Sequence, residues 1–223
     1  MKLLREYIRG LLIEVAVPTP QIQPESVIYC DMDGVLVNFE AGAVALINSA
    51  LDDEYVLGRG ASKTLRKLRA ALGEAWRAQS REDLNIKSVR NFMFAMISED
   101  PGGFFGALSP LTDGVNQLWP YLNSTGHTVK LLTAGVAGKL GMPTAGEGKE
   151  MWAMENLDPT PVEVILSPAS QKAGSATSRG VPNVLVDDKA STIQAWNDAG
   201  GIGILHTPGG SSSTIAKLQE LGL

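Results

Sequence analysis

Two aspartates spaced two residues apart, Asp31 and Asp33, end the apolar run VIYCDMD (27–33) and are followed at once by Gly34. A second acidic pair, Asp187-Asp188, ends another apolar run, VPNVLVDD (181–188). Between these pairs stand Thr133, near the end of VKLLTAG (129–135), and Lys172, in the stretch that follows VEVILSP (162–168). Four carboxylates gathered at one place repel each other, and the cluster is tolerable only around a cation. Hard oxygen ligands favour Mg2+ over softer metals. In an extended chain the side chains of Asp31 and Asp33 leave on the same face, and Gly34 permits a sharp turn just after them. One carboxylate could attack phosphorus while the other protonates the departing oxygen. Phosphoryl transfer is largely positioning and charge neutralisation, so the site also needs donors for the phosphate oxygens. Thr133 offers a hydroxyl and nearby backbone amides, and Lys172 a fixed positive charge. Taken singly, each element is ordinary: a surface acid pair, a strand-ending threonine, a solvated lysine, a turn-forming DD. What points to chemistry is their conjunction, with the acids at the ends of apolar strands in the order DxDG, Thr, Lys, DD.

The elements that must position these residues are legible as a pattern. Apolar segments at 27–33, 129–135, 162–168, 181–188 and 201–207 read as buried strands. Helical stretches such as TDGVNQLWPYLNS, EGKEMWAMENL and ASTIQAWNDAG alternate with them. Strands alternating with helices predict an α/β fold with a doubly wound, mostly parallel, Rossmann-like sheet. Ligands of such sheets collect beyond the C-terminal strand ends, where the acids lie. From Phe39 to about Ser109 no convincing strand appears. This block reads as a helical cap inserted after the first strand. The expected organisation is an amphipathic helix and Pro-rich linker at 1–24, a core of 25–39 and 108–223, and a cap of 40–107. The Gly-rich stretch 135–148 has neither phosphate-loop nor dinucleotide spacing and reads as a loop.

Composition narrows the function. The 223 residues carry a formal net charge of −5, which argues against broad binding to duplex nucleic acid. Cys30 is the single cysteine and there are two histidines, poor material for a zinc site or a Cys-His nucleophile. With no disulfide possible within the chain, a reducing, cytoplasmic compartment is expected. No stretch approaches the roughly 20 apolar residues of a membrane span. The stripe Leu4, Ile8, Leu12 predicts the N-terminal helix, and the prolines at 18, 20 and 24 set it on a tether, where it could dock on a protein partner or a second copy.

The quartet DMDGVL, LLTAG, the Lys172 loop and VLVDD resembles the haloacid dehalogenase-like superfamily of phosphatases. Within it, DMDGVLVNFE, PGGFFGALSPLTDGV, GKEMW and VLVDDK resemble, in order, stretches of the 5'(3')-deoxyribonucleotidases. The likeness runs from about Val27 to Asp188 and fades between 45 and 95. It implies a Mg2+-dependent phosphomonoester hydrolase acting on a small phosphorylated substrate, a (deoxy)nucleoside monophosphate. By the same resemblance Asp31 would be the nucleophile and Asp33 the general acid/base. The metal would take the Asp31 carboxylate, the Asp33 carbonyl and an acid of the Asp187-Asp188 pair. Thr133, Ala134, Lys149 and Lys172 would hold the phosphate, and Phe39, with Phe104 or Phe105, would wall the base. Three departures bear on the substrate: Asn38 and Gln171 where the family usually has Asp, and Ala134-Gly135 where Ser-Pro is usual.

Readings of other kinds remain. A phosphorylated receiver would end its third strand in an acid, and VEVILSP does not. A non-catalytic binding protein on the same fold would be expected to have lost Asp31 or Asp33. A phosphatase of nucleic-acid 3'-ends or phosphosugars keeps the chemistry and changes only the leaving group.

Overall fold

The structure is a computed structural model that describes residues 20–52, 61–73 and 77–223. The helix expected over 2–16 lies outside the described residues. Strand β1 (Ile28–Cys30) is followed by five helices: α1 (Phe39–Asp52), α2 (Ala61–Leu72), α3 (Arg81–Asn85), α4 (Lys87–Ile97) and α5 (Pro101–Gly106). A π-helical turn (Gly114–Leu118) leads into α6 (Trp119–Ser124), then β2 (Val129–Thr133), α7 (Ala145–Asn156) and β3 (Val164–Leu166). A small hairpin, β4 (Thr177–Ser178) and β5 (Val181–Pro182), precedes β6 (Val184–Asp187), α8 (Ala190–Asp198), β7 (Ile202–Leu205) and α9 (Ser211–Glu220).

Five strands form one parallel sheet in the order β3-β2-β1-β6-β7. β1 is central because it is apolar on both faces: Ile28, Tyr29 and Cys30 are all buried. Its register sets Cys30 beside Leu131 of β2 and Val186 of β6, so the three chains leave the sheet side by side. That shared edge brings residues 31, 133 and 187 together. Three tryptophans, Trp119, Trp152 and Trp196, are fully buried, and each indole N–H finds a carbonyl: Pro159, Leu108 and Asn183. Buried ring area and a satisfied polar end make them anchors between helices and sheet. Among the described residues no helix is long and apolar enough to cross a membrane.

Several boundaries differ from the pattern. The first strand ends at Cys30, not at residue 33, because the chain turns around one carbonyl. Val35, Leu36 and Val37 all donate their N–H to Met32 O, at 3.2, 2.8 and 2.9 Å. The shared face of Asp31 and Asp33 therefore comes from a loop and not from a strand. The run 181–188 is also broken. Pro182 cannot donate to a ladder, and Asn183 turns its buried side chain to Val27 N, Ser175 O and Ser178 Oγ. The loop expected over 135–148 is shorter, because Thr144 opens α7 with a capping box. Its hydroxyl accepts from Glu147 N while the Glu147 carboxylate accepts from Thr144 N. The C-terminal segment adds α9, which the apolar pattern leaves unassigned.

Candidate active site

Asp31 stands one residue beyond β1 and is 7 % exposed. Its backbone N–H continues the ladder to Val186 O at 2.9 Å, and its Oδ1 accepts from Met32 N at 2.8 Å. The carboxylate is thus fixed by the last rung of the sheet. Lys172 begins a 3-10 turn (Lys172–Ser175) after β3 and is almost wholly buried. Its Nζ lies 3.1 Å from Asp31 Oδ1 and 2.7 Å from Asp187 Oδ2. Burial works against the ammonium charge, but Asp31 and Asp187 together hold its pKa above the ordinary lysine value. Asp187 is raised above the usual carboxylate range by burial and then by the charge of Asp31. One lysine among these acids leaves negative charge in excess.

A second buried lysine serves the other aspartate. Lys149, on α7, is 1 % exposed and donates to Asp33 Oδ2 and to Thr133 Oγ1, both at 2.7 Å. Phe105 covers it, with Nζ 4.4 Å from the ring centroid. Desolvation raises the Asp33 pKa, Lys149 opposes the rise, and Asp31 adds to it. Cys30 is buried, its thiol pushed well up by burial and Asp31, so it has no nucleophilic character.

A cation fits this edge. Asp31, Asp187 and Asp188 each offer a carboxylate oxygen, and these oxygens lie within 4.8 Å of one another. Asp33 Oδ1 is buried with no hydrogen-bond partner among the described residues. Gly34, at φ +79°, clears room for the cluster: a Cβ there would stand 2.6 Å from Asp188 Oδ2. An all-oxygen set of this kind suits Mg2+.

The cluster opens into a cavity of about 560 Å³ between the sheet edge and the helices α1, α3 and α4. Asp31, Asp33, Lys172, Asp187, Asp188, Ala134 and Phe39 all line it. Thr133 and Lys149 lie beneath the surface, and Phe104 and Phe105 pack against Phe39 outside the lining, with ring centroids 5.8 and 6.3 Å from it. Asn38 does the work of an aspartate at the start of α1, its Oδ1 accepting from Ala41 N at 3.0 Å.

Sequence reasoning missed the walls supplied by the helices. Arg81, Leu84 and Asn85 of α3 line the cavity, and so do Arg90, Met93 and Phe94 of α4. Both sets follow i, i+3, i+4, a helix-face signal present in the sequence once the helices are assigned. Arg81 Nη2 reaches Asp188 Oδ2 at 3.0 Å, the ion pair that joins the helical block to the acidic edge.

No protein-family model and no curated protein matches the chain. Solved structures do. A haloacid dehalogenase-like family hydrolase from Xanthomonas campestris is 16 % identical over 91 % of this chain and 96 % of that one, with a TM-score of 0.51. A predicted phosphoglycolate phosphatase from Haemophilus somnus 129pt is 15 % identical over 90 % and 99 %, at 0.49. A HAD family enzyme from Bacteroides thetaiotaomicron, in a magnesium complex, is 12 % identical over 84 % and 96 %, at 0.44. The first of these likenesses carries the fold: the α/β architecture is that of the haloacid dehalogenase-like hydrolases.

Proposed function

We propose that the chain is a Mg2+-dependent phosphomonoester hydrolase working through an aspartyl-phosphate on Asp31, with a nucleoside monophosphate as substrate. The observation that carries this reading is the charge pattern at the sheet edge. Three carboxylates able to share a cation stand beside two buried lysines, with a fourth carboxylate, Asp33, on the second lysine.

In this reading Asp31, Asp187 and Asp188 hold the metal, which when bound neutralises charge on the phosphoryl oxygens. Lys172 and the backbone at Thr133-Ala134 bind the phosphoryl group, and Lys149 aligns Asp33 and Thr133 below it. An Asp31 carboxylate oxygen attacks phosphorus as the P–O bond to the leaving group breaks, and Asp33 supplies the proton that the departing oxygen needs. Water, deprotonated by Asp33, then attacks phosphorus and releases phosphate and free Asp31. The block 40–107 acts as the cap over this edge. Phe39, in the cavity wall just where the chain enters that block, is the ring that would stack on a base.

A proton donor favours this reading over displacement of a halide, whose leaving group needs none. The test is a turnover screen of the purified chain over nucleoside monophosphates, phosphosugars and an aryl phosphate, with and without Mg2+. Nucleotides should lead, and Phe39→Ala should cost them about tenfold in kcat/KM, consistent with ~1–3 kcal/mol of base stacking. Faster turnover of phosphosugars would remove the nucleotide and leave the phosphatase.

A further inference from the structure

Internal ion pairing in the cavity does not use up its cations. Asp31 and Asp187 are paired with Lys172, Asp33 with Lys149, and Asp188 with Arg81. Glu40, also in the wall, accepts the backbone N–H of Arg81 at 3.1 Å. Two lining cations remain, Arg90 on α4 and Lys189 just after the Asp187-Asp188 pair. Neither side chain makes an ion pair or a hydrogen bond with another described residue. They come from opposite sides of the cavity, one from the helical block and one from the sheet edge.

Arg90 has a particular setting. It shares a helix face with Met93 and Phe94, and with Leu84 and Phe39 these residues give that part of the wall an apolar lining. A guanidinium has only donors, arranged in a planar fork that matches a carboxylate or a phosphate bidentately. Both Arg90 and Lys189 are exposed and so within reach of a group that enters from solvent. The reacting phosphoryl group is already served by Lys172 and the cation site, so these two charges, unpaired among the described residues, are left for something further along the substrate.

We infer that Arg90, assisted by Lys189, is a specificity-determining pair that binds a second anionic group, a phosphate or a carboxylate, carried on the leaving group of the substrate. This rests on the phosphomonoesterase reading and deepens it: the preferred substrate is a phosphomonoester with two anionic ends. Among nucleotides that is a nucleoside bisphosphate over a monophosphate.

The test compares wild type, Arg90→Gln and Lys189→Gln, all as the full chain with Mg2+. The substrates are adenosine 5'-monophosphate, adenosine 3',5'-bisphosphate, 2-phosphoglycolate and an aryl phosphate. Wild type should prefer a substrate that carries a second anionic group by tenfold or more in kcat/KM, and which one leads tells phosphate from carboxylate. Arg90→Gln should lose at least tenfold more on that substrate than on the aryl phosphate, mostly through KM. Equal losses on all substrates, or no preference in wild type, would overturn the inference while leaving the phosphatase intact. If no phosphomonoester is turned over, the underlying reading fails separately. Calorimetric binding of the same bisphosphate and monophosphate to wild type and Arg90→Gln then decides the inference, since equal affinities would refute it.

Discussion

Lys149 Nζ lies 2.7 Å from Asp33 Oδ2, so the aspartate assigned to proton transfer is held by a lysine that solvent scarcely reaches. The same ammonium donates to Thr133 Oγ1, which ties the Asp33 loop to the end of β2. Lys149→Met should therefore act at two levels. Removing one partner of a buried ion pair costs about 3–5 kcal/mol, and the part exposure of Asp33 places this variant at the low end. Turnover should fall as well, because Asp33 loses its orientation. The double variant Lys149→Met/Asp33→Asn should recover part of the stability in chemical denaturation and none of the activity. Additive losses of stability would show that the two residues are not coupled.

Asp31→Asn keeps the shape of the side chain and removes the attacking oxygen's charge. Turnover of every phosphomonoester should become undetectable, while the melting temperature stays within a few degrees of wild type. Near-native, Mg2+-dependent activity in that variant would end the aspartyl-phosphate mechanism.

Gly34 combines a left-handed backbone with the close approach of Asp188, and both forbid a side chain. Gly34→Ala should cost about 1–2 kcal/mol from backbone conformation alone. The clash at Asp188 Oδ2 should also disturb the carboxylate cluster. Saturating Mg2+ should raise the melting temperature of wild type, as a ligand present at about 100 times its Kd adds roughly 2.7 kcal/mol. In Gly34→Ala that rise should be reduced or lost. An unchanged Mg2+ shift would show that Asp188 is not needed for the metal.

The capping box at the head of α7 predicts a pH dependence. Hydrogen bonds from the Thr144 backbone and hydroxyl lower the Glu147 pKa below its ordinary value of 4.5. A carboxylate depressed in the folded state stabilises fully above the unfolded pKa and loses that contribution as pH falls through the folded one. The stability difference between wild type and Glu147→Gln should therefore be constant above about pH 5 and shrink below 4.5. Thr144→Ala, which removes the cap itself, should cost about 1 kcal/mol at neutral pH. A difference that grows on acidification would contradict the assignment.

The sheet edge was legible in the sequence because strand-ending acids carry two signals at once, an apolar run and a charge that cannot stay in it. Asp31 and Asp187 follow directly from that, and Thr133 from its place at the end of the apolar run 129–133. Turn geometry was less visible: the gathering of three N–H groups on Met32 O depends on how residues 32–37 fold back, and spacing alone does not encode it. Pro182 could have announced the break before Val184, since proline cannot sit in a central strand. The cavity walls were hidden for another reason. Arg81 and Arg90 look like ordinary solvated residues of amphipathic helices until the helices are placed over the sheet. Phe105 is the converse case: an aromatic read as a pocket wall, it spends its ring on the buried ammonium of Lys149.

The position of β1 also bears on how the molecule is made. The first strand among the described residues is the middle strand of the sheet, and its two neighbours begin at Val129 and Val184. During synthesis its apolar edges have no partner until the ribosome has passed those residues, whereas helices α1 to α4 pack on one another and can form at once. The nascent chain therefore carries an uncovered strand until Val184 has been made, and the acidic site, which needs Asp187 and Asp188, comes together only after that. Arrest of translation before Val184 should leave a chain that binds chaperones and has no metal site.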